Sequence, residues 1–260
     1  RSAERRRALA RVPVAKLLEI CRRAGKLFVE AELPVDPIDG VTQTPEQFVE
    51  IQSATTGLPQ PQCRANMEKT RFVLNEMETV LGGLTRGLDL AVLDSGWARQ
   101  DGRMVAYVGL ADTLGAVLPS YSPGVHSLWL PAIPLKVPLA LKPGRQEPWT
   151  PVRVFQALAA AGCPAEALSF YPTDYAGANE ILLRTERSML FGDVSTVRGW
   201  ADDPRVQLHG PGWSKVLLGR DRAADWPRYL DLMVTSIAEN GGRSCLNASG
   251  VWTAAHGREI

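Results

Sequence analysis

The spacing of apolar positions changes character near residue 103. Before it, hydrophobic residues recur at helical intervals. Asn66 to Leu81 carries Phe72, Val73, Met77, Val80 and Leu81, a stripe that predicts an amphipathic helix packed on a core. The charged stretch Arg1 to Arg7 is expected on the exposed face of a helix running to about Gly25. Proline-rich crossings at Pro34 to Pro45 and Pro59 to Pro61 separate helices rather than domains. Next, Met104-Val105-Ala106-Tyr107-Val108 and Gly115-Ala116-Val117-Leu118 read as a pair of strands.

From Val137 onward short apolar runs alternate with helical patterns. Val137-Pro138-Leu139-Ala140-Leu141-Lys142, closed by Pro143-Gly144, predicts a buried parallel strand ending in a sharp turn. A helix over Val152 to Ala161, with Val154, Leu158 and Ala161 on one face, leads to a strand at Ala167 to Tyr171. A helix at Ala178 to Leu183 precedes a strand at Ser188 to Phe191, which ends at Gly192. Strands at Val206 to Leu208 and Lys215 to Leu218 follow. Strands separated by helical patterns of this length imply an α/β fold with a doubly wound parallel sheet.

Two segments carry candidate chemistry. Ala238-Glu239-Asn240-Gly241-Gly242-Arg243-Ser244-Cys245-Leu246-Asn247 resembles the nucleophile segment of the aldehyde dehydrogenase superfamily, with Asn240, Gly242 and Cys245 in register. Arg243 stands where that family usually has Gln or Glu. Lys142-Pro143-Gly144, followed by Pro148-Trp149-Thr150-Pro151, looks like the family's strand that leads into the first helix of the cofactor domain. Ligands of open α/β sheets bind beyond the carboxyl ends of such strands, which places Lys142 near a dinucleotide's ribose or phosphates. The family expects this lysine roughly a hundred residues before the cysteine, as here.

The resemblance implies a thiolate at Cys245 that attacks a carbonyl, with NADP or NAD as hydride carrier. In ordinary members a Glu-Leu-Gly-Gly-Lys motif supplies a base for thioester hydrolysis. Here Leu208-His209-Gly210-Pro211-Gly212-Trp213-Ser214-Lys215 stands instead, with His209 nearest the glutamate's place. That string, with Phe191-Gly192-Asp193, is more similar to the long-chain acyl-CoA reductase branch. An imidazole titrates near neutrality and is able to serve as a base. Without a well-placed glutamate, exchange of the thioester with a thiol such as CoA is expected to outpace hydrolysis. Tyr121, in Ser120-Tyr121-Ser122-Pro123, takes the place of the family's oxyanion-binding Asn. Losing one such donor costs about 2.7–4 kcal/mol in the transition state.

Expected catalytic residues are therefore Cys245, Tyr121, His209 and Asn240; expected cofactor contacts are Lys142, Pro143, Arg145, Gly192, Asp193 and Gly210. Arg145 occupies the place where NAD-preferring members often carry Glu, which tilts the expectation toward NADP(H). Gly210-x-Gly212 is not a dinucleotide fingerprint, because a strand rather than a helix follows it and a third glycine is missing.

The resemblance divides the chain into a mainly helical part, 1–103, a dinucleotide-binding α/β part, 104–220, and the start of a catalytic domain, 221–260. Family members continue well over a hundred residues past the cysteine, whereas this sequence ends fifteen residues beyond it. A fragment or truncated form is therefore expected, with exposed apolar surface at Val251 and Trp252. A full-length version is expected to be a homo-oligomer acting on a small aldehyde or acyl thioester. A different reading is a catalytically inactive module for binding or assembly, favoured by the replaced Asn and the absent Glu.

Composition narrows the field further. A net charge of +1 gives no electrostatic reason to invoke nucleic acid or a membrane surface. The apolar runs are interrupted by Pro, Lys or Asp, so no membrane span is expected. Cys21, Cys63, Cys163 and Cys245 lack metal-binding spacing, and the three histidines form no ligand pair. No metal is expected, and scattered free cysteines suit a reducing cytoplasm.

Overall fold

The structure, a computed structural model, describes residues 8–36, 39–120 and 123–260. Helix α1 (Val14–Glu30) starts just after Pro13 and continues to Glu30, past the expected stop at Gly25. Arg1 to Arg7 lie outside the described residues. Strands β1 (Leu33–Asp36) and β2 (Val41–Gln43) form an antiparallel pair inside the first proline-rich crossing. Helix α2 (Pro45–Thr56) opens on a reciprocal cap. The Thr44 hydroxyl accepts from the Gln47 N–H, and the Gln47 side chain accepts from the Thr44 N–H.

The expected helix from Asn66 to Leu81 is two helices, α3 (Gln60–Asn75) and α4 (Met77–Leu84). Glu76 breaks them with ψ of 16°. Met77 and Leu81 enter the core as the stripe predicts, but Phe72 is 63% exposed. The kink turns the two helices out of phase, so no single stripe serves both.

A short helix α5 (Val92–Ser95) precedes strands β3 (Trp97–Gln100) and β4 (Arg103–Ala106), which pair antiparallel with each other. The expected pairing of the 104–108 and 115–118 runs is therefore wrong. Strand β5 (Leu114–Val117) instead lies at the centre of a five-stranded parallel sheet, flanked by β6 (Leu139–Lys142) and β8 (Arg187–Phe191). Beyond them lie β7 (Leu168–Phe170) and β9 (Val206–His209), giving the order β7-β6-β5-β8-β9. Helices α6 (His126–Trp129), α7 (Trp149–Ala161), α8 (Tyr175–Arg184) and α9 (Val194–Arg198) connect these strands.

Alternate residues of β5 explain the two layers. Ala116 joins the large cluster that also holds Phe28, Phe48, Trp129 and Leu158, whereas Val117 faces Leu182 and Leu190 on the other side. Helices thus cover both faces, as the doubly wound expectation requires. Strand β10 (Val216–Leu218) does not extend this sheet but pairs in parallel with β11 (Val251–Thr253), beyond helix α10 (Leu230–Ala238). Trp252 is exposed and Val251 half-buried. No helix among the described residues is long and apolar enough to cross a membrane.

Arg153 on α7 fastens the helical part to the sheet. Its Nε donates to the Phe28 carbonyl at 2.9 Å, Nη1 to Gln43 at 2.9 Å and Nη2 to Ala31 at 2.6 Å. The guanidinium is 2% exposed and stands over the rings of Phe28 and Phe48.

Candidate active site

The chain order reverses between β5 and β8, the switch point at which open parallel sheets bind ligands beyond their carboxyl ends. Strand β6, next to β5, ends at Lys142, and β8 runs out into Gly192 and Asp193. Four residues named from the sequence, Lys142, Pro143, Gly192 and Asp193, therefore share one edge of the sheet. Burial lowers the pKa of Lys142, and Asp174 at the start of α8 opposes that shift. A half-buried ammonium at this end of the sheet suits a phosphate or ribose neighbour.

The turn after Lys142 is pressed against the loop after β5. A Cβ on Gly144 would fall on the Pro119 carbonyl oxygen, so the close approach requires glycine. The Gln146 N–H donates to Ser120 Oγ at 3.1 Å. Arg145 sits exposed at the tip of this turn. Tyr121 lies outside the described residues, so its expected role as oxyanion donor rests on the sequence alone.

Behind this turn a buried polar network ties three elements together. Glu147 Oε1 accepts from the Thr150 N–H at 2.9 Å, the Thr150 hydroxyl at 2.7 Å and Gln52 Nε2 at 3.1 Å. His126 Nε2 lies 3.4 Å from Glu147 Oε2, while His126 Nδ1 accepts from Trp129 Nε1 at 3.1 Å. Trp129 is a donor only, so this arrangement leaves the imidazole proton on Nε2, facing the carboxylate. This network is not legible in the sequence, because its partners are 95 and 21 residues from Glu147 along the chain.

Asp193 is the N-cap of α9. Its carboxylate accepts from Ser195 Oγ at 2.7 Å and from the Thr196 N–H at 2.8 Å, and these bonds bring its pKa down to about 2. His209 lies flat on Phe191, with ring centroids 4.3 Å apart. Burial lowers its pKa, and its buried Nε2 has no hydrogen-bond partner among the described residues. Burial thus favours the neutral ring, and no described bond joins it to Cys245.

The cysteine turn is shaped by three successive residues at positive φ, Asn240 at 53°, Gly241 at 65° and Gly242 at 69°. Asn tolerates this region better than most residues, and glycine enters it without penalty. Two long-range bonds hold the turn. Asn66 Nδ2 on α3 donates to Asn240 Oδ1 at 2.8 Å, both side chains being buried, and Arg243 Nη1 donates to the Thr56 carbonyl at 2.7 Å. Arg243, read from the sequence only as a departure, is thus an anchor. Cys245 is half-buried, whereas Cys21, Cys63 and Cys163 are buried.

The segment leaving β9 ends against this turn. A Cβ on Gly212 would fall on the Cys245 carbonyl oxygen, whereas one on Gly210 would meet only Val197, at 3.8 Å. Gly212 rather than Gly210 is therefore the glycine the site requires. Gly212→Ala is expected to slow alkylation of Cys245 at least about tenfold by displacing its turn. Gly210→Ala is expected to leave that rate within about twofold, because the added methyl meets open space. Alkylation kinetics followed by peptide mass mapping check both.

A cleft of about 710 Å³ opens beside the turn, between α3 and the residues that flank Cys245. Asn66, Lys69, Ser127, Ser236, Glu239 and Asn247 contribute to its walls, and Ser244 and Leu246 bracket the cysteine. Lys69 and Glu239 form an ion pair across it.

No protein-family model matches the sequence, and no curated protein matches it either. Solved structures do match the fold. An NAD-dependent aldehyde dehydrogenase from Sinorhizobium meliloti superposes with a TM-score of 0.75 at 17% identity, over 99% of this chain and 50% of that one. An E. coli NADP dependent enzyme gives 0.69 at 13% identity, over 97% and 52% of the two chains. A 3,6-anhydro-L-galactose dehydrogenase solved in complex with NAP gives 0.72 at 15%, over 97% and 50%. The chain spans about half the length of these structures. At such identities the likeness establishes the fold, which is of the aldehyde dehydrogenase type.

Proposed function

We propose that this chain carries the cofactor crevice and the nucleophile of an NAD(P)-dependent oxidoreductase acting on an aldehyde or acyl thioester. One observation carries the reading. The segment that leaves the cofactor edge of the sheet at His209 reaches the backbone of Cys245 three residues later, at Gly212. Crevice and cysteine are then two ends of one site. The neighbours' names include both NAD- and NADP-dependent enzymes, in keeping with this class.

In this reading the Cys245 thiolate adds to the carbonyl carbon, and the oxygen takes up charge beside the turn's backbone N–H groups. A bound nicotinamide would supply or accept the hydride. Lys142 and Arg145 would hold the cofactor's ribose and phosphates, and Pro143 and Gly144 set the turn that presents Arg145. Gly192, Asp193 and Gly210 shape the opposite wall, with Asp193 fixing α9 as its cap. His209 is a poor candidate for activating water, since desolvation and the stack on Phe191 favour the neutral ring and weaken it as a base. The acyl group on Cys245 therefore leaves to a thiol, CoA being the expected acceptor.

Product analysis tests the branch. Thioester formed on the protein is expected to pass to CoA at least about tenfold faster than to water. Rapid oxidation of aldehyde to free acid without CoA would show that hydrolysis, not exchange, is the native route.

Cofactor choice is read at Arg145. A guanidinium binds a ribose 2′-phosphate through charge-assisted bonds, and a carboxylate repels it. Arg145→Glu is expected to weaken NADPH binding at least about tenfold and NADH binding no more than about twofold. Equal losses in a fluorescence titration would take Arg145 out of the site.

A further inference from the structure

We propose that His126 and Glu147 are positioning residues that lock the cofactor turn, residues 143–147, and that the lock closes in only one tautomer of His126. The inference rests on the reading of this turn as part of a cofactor crevice and adds what holds it in place. The turn meets the loop after β5 at three points. Gly144 packs on the Pro119 carbonyl, and the Gln146 N–H donates to Ser120 Oγ at 3.1 Å near the surface. At the third point Glu147 Oε2 accepts from the His126 Nε2–H across 3.4 Å, with both side chains buried. Arg145, at the exposed tip, has no hydrogen bond or ion pair among the described residues, so the ends of the turn alone set its direction.

Water replaces a surface hydrogen bond easily and a buried one only at a desolvation cost, so the buried contact fixes the turn. Glu147 is also gripped from behind. Its Oε1 accepts from the Thr150 N–H, the Thr150 hydroxyl and Gln52 Nε2, which ties it to α7 and α2. A carboxylate accepts and never donates, so Oε2 needs a donor as well. Trp129 Nε1–H claims His126 Nδ1 as its acceptor at 3.1 Å, and Trp129 is fully buried. The imidazole proton is left on Nε2, where the carboxylate requires it. The bonds from indole to imidazole to carboxylate run in one direction, and no single member can be reversed.

Glu147→Gln keeps the shape and the three donors at Oε1 but turns an amide N–H toward the His126 Nε2–H. Two donors then face each other in a buried site. Moving the imidazole proton to Nδ1 only transfers the conflict to Trp129. Trp129→Phe removes the indole donor, and the ring is then free to carry its proton on Nδ1 and accept from the new amide. A side chain that merely fills space would show no such dependence on Trp129.

Trypsin reads the turn directly, because the Arg145–Gln146 bond is cleavable and Lys142–Pro143 is not. Cleavage at Arg145 in the purified chain, followed by peptide mass mapping, is expected to accelerate at least about tenfold in Glu147→Gln. In the Trp129→Phe background the same substitution is expected to add no more than about threefold, since the lost indole packing is common to both arms. Thermal melting checks that each variant is folded. Should Glu147→Gln not fold, His126→Phe, which removes the donor, is expected to give the same acceleration. An unchanged rate in the single variants, or an equal effect in both backgrounds, overturns the proposal. Titration with NADPH is the second arm, and Glu147→Gln is expected to weaken its binding at least about tenfold. An affinity that stays unchanged while the turn loosens overturns the positioning role. If the original chain binds neither NADPH nor NADH, the cofactor reading fails, and the cleavage rates alone decide whether the pair locks the turn.

Discussion

On the proposed function, Cys245→Ala is expected to remove aldehyde-dependent turnover by at least about a thousandfold while leaving cofactor affinity within about twofold. The size follows from the chemistry, since no neighbouring hydroxyl or amine replaces a thiolate as attacking group. Selectivity follows from the environments of the four cysteines. Burial pushes the Cys21 and Cys163 thiols up to about 12 and raises Cys63 as well. Cys245 is half-buried, on a turn set by three left-handed residues. At pH 8 iodoacetamide is therefore expected to label Cys245 first by a wide margin, and mass mapping reads the order. Labelling of any buried cysteine before Cys245 would contradict the assignment.

The buried cysteines also set a pH dependence of opposite sign from acid denaturation. Their folded-state pKa values lie above the unfolded value, so their contribution is intact below about pH 9 and is lost as the pH rises toward 12.

Arg153→Met is expected to destabilise the fold by about 3–5 kcal/mol, measured by urea denaturation. The substitution keeps an unbranched side chain but leaves three carbonyls, of Phe28, Ala31 and Gln43, without their donor. It also removes the cation from above the rings of Phe28 and Phe48. Burial already strains this guanidinium, pushing its pKa down to about 10. The charge is tolerated because carbonyl oxygens surround it. Arg153→Lys is expected to recover less than half of the loss, since an ammonium does not present the fork that reaches three acceptors at once. A change below about 1 kcal/mol for Arg153→Met would show that water takes over the freed carbonyls.

Strands β6 to β9 of the parallel sheet were legible in the chain because each is a short run bounded by turn residues, whereas the central β5 was read as the partner of the 104–108 run. Leu139 to Leu141 is buried throughout, and its Lys-Pro-Gly exit marks the carboxyl end. Helix α7 was legible for the same kind of reason, its buried positions recurring at helical intervals. The partner of the 104–108 run was not legible. Pairing depends on which strand edges meet, and a run of apolar residues carries no label for its neighbour. The kink at Glu76 escaped as well, since neither proline nor glycine marks it.

By itself the sequence determined the doubly wound layering, the cysteine with its Asn-Gly-Gly turn, and the lysine at a strand end. These are local properties, written in residues adjacent along the chain. Tertiary structure decided the rest. It made Gly212, not Gly210, the glycine that packs on Cys245, turned Arg243 from an anomaly into an anchor on Thr56, and brought Asn66 across 174 residues to Asn240. It also made Asp193 a helix cap and stacked His209 on Phe191. Contacts between segments remote in the chain depend on packing that no local pattern encodes, so the support of the site emerged only once the chain was folded.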